Sequence, residues 1–128
     1  MHRFDCRVYY EDTDMAGIVY HANFLKFIER GRSEWVAALG IDQRAMREAS
    51  GQVFVVRRIE CDYLSPAHYG DDLMVLTTPE RIGGARMVLR QQVLRGAALL
   101  FEALVTVVVL GSEGQVLRLP PELRRALA

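Results

Sequence analysis

The sequence predicts an α+β domain in which one long helix lies across a five-stranded, mostly antiparallel sheet. Three observations carry that expectation. A period of two near the start gives way to a helical period between Ala22 and Leu39. Four further apolar segments follow, separated by short stretches of turn chemistry. Short loops join the strands and no second long helix is present to make parallel crossovers, which implies a largely antiparallel sheet. Size agrees: a helix of that length measures about 27 Å at ~1.5 Å per residue, nearly the width of five strands ~4.8 Å apart.

In the opening strand Phe4, Cys6, Val8 and Tyr10 alternate with Arg3, Asp5, Arg7 and Tyr9, the pattern of a half-buried strand. In the helix, Phe24, Phe27, Ile28, Gly31, Trp35, Ala38 and Leu39 recur at three- and four-residue steps. Lys26, Glu29, Arg30, Arg32 and Ser33 fall mainly on the other side, and Gly40 closes the end. Gly31 lies on the apolar stripe, where it costs about 1 kcal/mol relative to Ala, so a close approach of helix to sheet is expected there. A short helix over Gln43–Ser50 comes next. Val53–Tyr63, Asp72–Thr78, Ala85–Arg95 and Leu99–Leu110 then read as strands, divided by Ser65–Gly70, Pro79–Gly84 and Gly96. After Pro120 and Pro121 the basic segment Glu122–Ala128 has room for one or two helical turns.

With 128 residues, 51% of them hydrophobic, the chain reads as one domain over residues 1–128 with one core. It has no apolar run of ~18 residues, and Met1-His2-Arg3-Phe4-Asp5-Cys6 is no signal peptide, so a soluble, cytoplasmic protein without an integral membrane segment is expected. Sixteen basic residues balance sixteen acidic ones, which argues against nucleic acid as a partner. Cys6 and Cys61 stand alone and read as reduced residues on strands. Ala103–Leu110 is almost unbroken in apolar residues, so both its faces should be covered, one of them by a second subunit.

The stretch from Tyr10 to Phe24 joins the first strand to the helix and carries three carboxylates within four residues, Glu11, Asp12 and Asp14. Gly17 permits a sharp loop, and His21 and Asn23 sit where the helix begins, so Asp14 is positioned to face the free N–H groups of its first turn. Such N–H groups stabilise negative charge developing on a carbonyl oxygen. A thioester suits this equipment, because its thiolate leaving group has a pKa of about 8.5 and departs without a strong general acid. Asp14 can attack the carbonyl directly or deprotonate a water. Neither a metal nor a cofactor is expected.

At these residues a resemblance appears. Tyr10-Glu11-Asp12-Thr13-Asp14-Met15-Ala16-Gly17-Ile18-Val19-Tyr20-His21 resembles the signature of hotdog-fold acyl-CoA thioesterases of the 4-hydroxybenzoyl-CoA thioesterase type, in particular the bacterial branch associated with the Tol-Pal system. Phe54-Val55-Val56-Arg57-Arg58 and Asp62-Tyr63-Leu64-Ser65-Pro66-Ala67 are similar to that branch in the same order. The resemblance implies a helix wrapped by an antiparallel sheet, homodimers with a continuous sheet, often homotetramers, a catalytic Asp14, and an acyl-CoA carbonyl polarised by the backbone N–H near His21. His68 and Gly70 depart from the family's commoner pattern in their loop.

Plainer readings stand beside these. Asp12 is expected to hydrogen-bond the loop backbone rather than share a proton with Asp14. His21 orients substrate or is a helix-entry histidine, and Asn23 is an N-cap before it is a substrate contact. Tyr20, Phe24 and Met15 line an acyl pocket or belong to the core. Arg57 or Arg58, with Arg86, are candidates for the phosphates of coenzyme A, against solvated strand faces. A metal-dependent phosphatase is excluded by the single long helix, since its Asp-x-Asp core requires a doubly wound parallel sheet. A calcium loop is excluded by Asn23, eleven places after Asp12, where Glu is required. A non-catalytic acyl-binding or scaffold protein of the same fold is the competing reading.

Overall fold

A computed structural model describes residues 1–126. The order is β1 (His2–Arg7), a 3₁₀ turn (Tyr10–Asp12), α1 (His21–Ala38), α2 (Gln43–Ser50), β2 (Val53–Tyr63), β3 (Asp72–Ile82), β4 (Arg86–Arg95), β5 (Ala98–Leu110), β6 (Val116–Leu117) and α3 (Pro121–Arg125). The strands form one antiparallel sheet in the order β1-β3-β4-β5-β2, with β6 paired to β5. This is the expected α+β architecture. Cys6 and Cys61 are free thiols on the two opposite edge strands, and burial pushes the Cys6 thiol up to about 11, which disfavours its thiolate.

The helix buries Phe24, Phe27, Ile28, Trp35 and Val36 against Val75, Leu89, Val93, Phe101 and Val105 of the sheet. Gly31 is the point of closest approach: a Cβ there would lie 2.6 Å from Val75 Cγ1. Gly40, with φ +86°, ends the helix as expected. Among the described residues no helix is long and apolar enough to cross a membrane.

Several boundaries differ from expectation for local reasons. β1 stops at Arg7, and Tyr10 enters a 3₁₀ turn and is exposed. β3 continues through Pro79 to Ile82, because the register shift between Pro79 and Arg81 makes a bulge where a residue without an N–H is tolerated. β6, two residues long, has too short a pattern to read from sequence. Leu127 and Ala128 of the expected terminal segment lie outside the described residues.

Candidate active site

The segment between the 3₁₀ turn and α1 is a small hairpin. Thr13 and Val19 form a β-bridge, the Asp14 N–H donates to the Ile18 carbonyl at 3.0 Å, and the Gly17 N–H returns to the Asp14 carbonyl at 3.0 Å. Gly17 takes φ +79°, which the tight reversal requires. The exposed Asp14 carboxylate accepts the Ala16 N–H on Oδ1 at 2.9 Å. This bond fixes the carboxylate's orientation and leaves its other oxygen without a partner among the described residues.

Asp12 has the opposite environment. It is 4% exposed and accepts the Tyr9 N–H on Oδ2 and the Asn23 side-chain N–H on Oδ1, each at 2.9 Å. Its carbonyl takes the Tyr20 N–H at 2.9 Å. Asp12 therefore ties the end of β1 and the hairpin to the first turn of α1. The N-cap expectation for Asn23 is corrected: Tyr20 holds that position, and Asn23 lies in the first turn, buried, with its side-chain N–H given to Asp12.

Tyr20 is the N-cap and offers no side-chain capping bond. Among the described residues no acceptor takes the His21 N–H, so a backbone donor stands unused at the helix start. The His21 ring is exposed, tilted against Tyr20 at 4.6 Å and edge-on to Tyr63 at 6.1 Å.

Asp14 and His21 line the same cleft of about 420 Å³. Ile18, Val19, Phe24 and Tyr63 also line it, and Leu64, Ser65 and Pro66 contribute a further wall. Tyr63 donates its hydroxyl to the His21 carbonyl at 3.0 Å and packs edge-on against Phe24 and Phe101. Burial raises the pKa of its phenol, so it remains a donor at neutral pH. The walls join where the Val19 N–H donates to the Ala67 carbonyl at 2.8 Å and where Ile18 bridges His68.

Of the residues singled out in the sequence, the fold thus brings Asp14, His21 and Phe24 together. Tyr20 lies beside the cleft and not in its lining, and Met15 stands fully exposed at the hairpin tip. Arg57 occupies the bulge near the middle of β2, and Arg86 begins β4 opposite Val108, toward the end of the sheet remote from Tyr63, which pairs Phe101; both are exposed. Neither arginine reaches the cleft of its own chain. Sequence reasoning misses Tyr63, Leu64, Ser65 and Pro66 as cleft residues, although the Asp62–Ala67 match is the signal that marks them. A larger hollow of about 1050 Å³ runs along the β1 edge, but it holds none of the predicted site residues. Its wall charges are partly paired with one another, Arg3 with Asp5 at 2.8 Å and Arg7 with Asp72 at 2.9 Å. Volume alone therefore does not identify the site.

Comparison with known proteins points the same way. Residues 16–101 match the model of the Thioesterase superfamily, a match that begins two residues beyond Asp14. Acyl-CoA thioesterase YbgC of Haemophilus influenzae is 40% identical over 104 residues, spanning 81% of this chain and 76% of that protein. Acyl-CoA thioester hydrolase YbgC of Escherichia coli O157:H7 is 39% identical over 107 residues, 83% and 79% of the two chains. A crystal structure described as a "Probable Thioesterase" from Bartonella henselae superposes with a TM-score of 0.89 at 38% identity, covering 93% of this chain and 98% of that one. The 1,4-dihydroxy-2-naphthoyl-CoA thioesterase of Synechocystis, at 24% identity and a TM-score of 0.90 over 98% and 94%, shares the fold. By sequence and by fold, the chain belongs to the thioesterase superfamily.

Proposed function

We propose that the chain hydrolyses acyl-CoA thioesters in the cleft between the Asp14 hairpin and the Leu64–Pro66 wall, with Asp14 as nucleophile or general base. The observation that carries this reading is the pairing, in one cleft, of an oriented carboxylate with an unused backbone N–H at a helix start. The thioester carbonyl oxygen takes the His21 N–H, and the developing negative charge is stabilised by that donor and by the helix dipole. Asp14 either attacks the carbonyl carbon, forming a mixed anhydride that water then hydrolyses to free Asp14 and the acid, or deprotonates the water that attacks; in both routes the C–S bond breaks and the coenzyme A thiolate leaves. The His21 side chain borders the substrate, while its backbone supplies the catalytic donor.

The same reading makes the protein a homodimer or homotetramer. Among the described residues β2 pairs only with β5, so its 11 residues present an open edge, with Val56 39% and Tyr63 48% exposed. An antiparallel pairing of two β2 edges sets the Arg57 half of one copy beside the Tyr63 half of the other. Arg57, and Arg86 two strands away, then approach the cleft of the neighbouring copy and are available to coenzyme A phosphates.

The test is thiol release from a panel of short-chain, long-chain and aromatic acyl-CoA substrates by the wild type and by Asp14→Asn. Turnover of at least one class by the wild type, lost in the variant, is the expected result. Tight acyl-CoA binding with no thiol release from any class would replace hydrolysis by a binding or scaffold role.

A further inference from the structure

The Leu64–Gly70 wall has little packing to hold it. Ala67 is its one buried residue; Leu64, Ser65, Pro66, His68, Tyr69 and Gly70 are all exposed. Its ends are tied by backbone bonds, the Leu64 and Ser65 N–H groups to the Leu100 carbonyl at 2.9 and 3.1 Å and the Gly70 N–H to the Val8 carbonyl at 2.9 Å, and its middle by polar bonds converging on Asp71. Oδ2 of Asp71 accepts the His68 N–H at 2.9 Å and Arg95 Nη1 at 2.8 Å, and the same Arg95 nitrogen donates to the Pro66 carbonyl at 3.3 Å. The Asp71 N–H closes the turn on the His68 carbonyl at 3.0 Å, and its carbonyl accepts the Val8 N–H at 2.9 Å. Burial raises the Asp71 pKa, but the His68 N–H and the Arg95 guanidinium outweigh it and hold the carboxyl below its ordinary value. Arg95, the last residue of β4, thus anchors both sides of Ala67 to the sheet. From Ala67 the connection runs on through the Val19 N–H to the Ala67 carbonyl at 2.8 Å and the Asp14 N–H to the Ile18 carbonyl at 3.0 Å, with Ala67 and Val19 both buried in the core.

We propose that the Asp71–Arg95 ion pair is a positioning device for the cleft: it pins Pro66–His68 to the end of β4, and through the Ala67 carbonyl it sets the Asp14 hairpin at its catalytic distance from the wall. The inference rests on the thioesterase reading for its kinetic consequence and not for its structural one. Asp71 and Arg95 touch no substrate. Their side chains are 22% and 39% exposed, so the pair adds little to global stability. A merely structural role therefore predicts almost no effect on anything, whereas a positioning role predicts an effect on turnover without one on melting.

The experiment compares wild type with Asp71→Asn, Arg95→Met and Arg95→Lys, using whichever acyl-CoA of the panel the wild type hydrolyses. Arg95→Met and Asp71→Asn are expected to lower kcat/KM about tenfold, mostly in kcat, with melting temperatures within about 3 °C of wild type. Arg95→Lys, which keeps a charged donor, is expected to return to within about threefold of wild type. Amide hydrogen exchange read on peptides covering Ile18–Val19 and Ala67–His68 should accelerate in the Met and Asn variants and not elsewhere. Wild-type kinetics with unchanged exchange in both variants would overturn the proposal, as would Arg95→Lys behaving no better than Arg95→Met. If the wild type cleaves no acyl-CoA at all, the functional reading fails, and the exchange measurement alone still decides whether the pin exists.

Discussion

The first turn of α1 and its middle are built to opposite rules. At the middle everything is closed: Gly31 lets the helix settle onto Val75, and the fully buried Gln91 donates to the Ile28 carbonyl at 2.8 Å and to Thr77 Oγ1 at 2.9 Å. Gln91 also accepts from Arg32 at 2.8 Å, and burial lowers the pKa of that guanidinium. At the first turn the helix is left open, with no side-chain cap, an unused His21 N–H and an exposed ring beside a cleft. An uncapped helix start costs about 1 kcal/mol or more in stability. The difference teaches that α1 is fixed to the sheet by its middle, and that rigidity there allows its start to remain unsatisfied and available to a ligand.

The sharpest way to break this contrast is at its open end. Asp14→Asn is expected to cut thioester turnover by at least about 100-fold while the melting temperature moves by no more than about 2 °C, because Asn retains the acceptor for the Ala16 N–H and loses only the charge. Retention of more than a tenth of wild-type turnover would remove Asp14 from the chemistry. At the closed middle the pattern should invert. Gln91→Ala leaves the Arg32 guanidinium and Thr77 without their buried partner and opens a cavity, so chemical denaturation should show a loss of about 2–4 kcal/mol, with turnover per folded molecule little changed. A loss below about 1 kcal/mol would mean that the network does not hold the helix.

Gly31→Ala tests the close approach itself. The helix-propensity gain of about 1 kcal/mol is opposed by overpacking against Val75, whose branched side chain has little freedom to move, and a net destabilisation of about 1–2 kcal/mol is expected. Net stabilisation would show that helix and sheet can separate at no cost. The smallest effect belongs to His21→Ala: about a tenfold loss of turnover, since the substitution removes a ring at the cleft and spares the backbone donor. A loss matching that of Asp14→Asn would make the imidazole a catalytic partner.

Much of this is legible in advance because it is periodic or local. The stripe of α1 and the limits of α2 and β2 follow from side-chain spacing. Gly31 announces the close approach by sitting where a larger apolar residue would otherwise be expected. Asp14 and Gly17 are legible as a sharp loop because a carboxylate turn and a positive-φ glycine are local devices. Asn23 is misplaced for the same reason. Local rules favour Asn at a helix start, but its partner Asp12, eleven residues earlier in the chain, is brought to it only by the returning hairpin.

By itself, then, the sequence determined one helix over an antiparallel sheet, with a chemically loaded loop between the first strand and the helix, because hydrophobic period and turn chemistry act over a few residues. Only the tertiary structure decided which residues share the cleft. Tyr63 and the Leu64–Pro66 wall join Asp14 through the pairing of Tyr63 with Phe101 and the bond from Val19 to Ala67. Arg57, near the middle of β2, and Arg86, at the start of β4, are held outside the cleft lining by the register of β2 and β4 on β5. Those placements depend on contacts between residues far apart in the chain, which hydrophobic period and turn chemistry do not register; the resemblance at Asp62–Ala67 marked the wall residues without placing them.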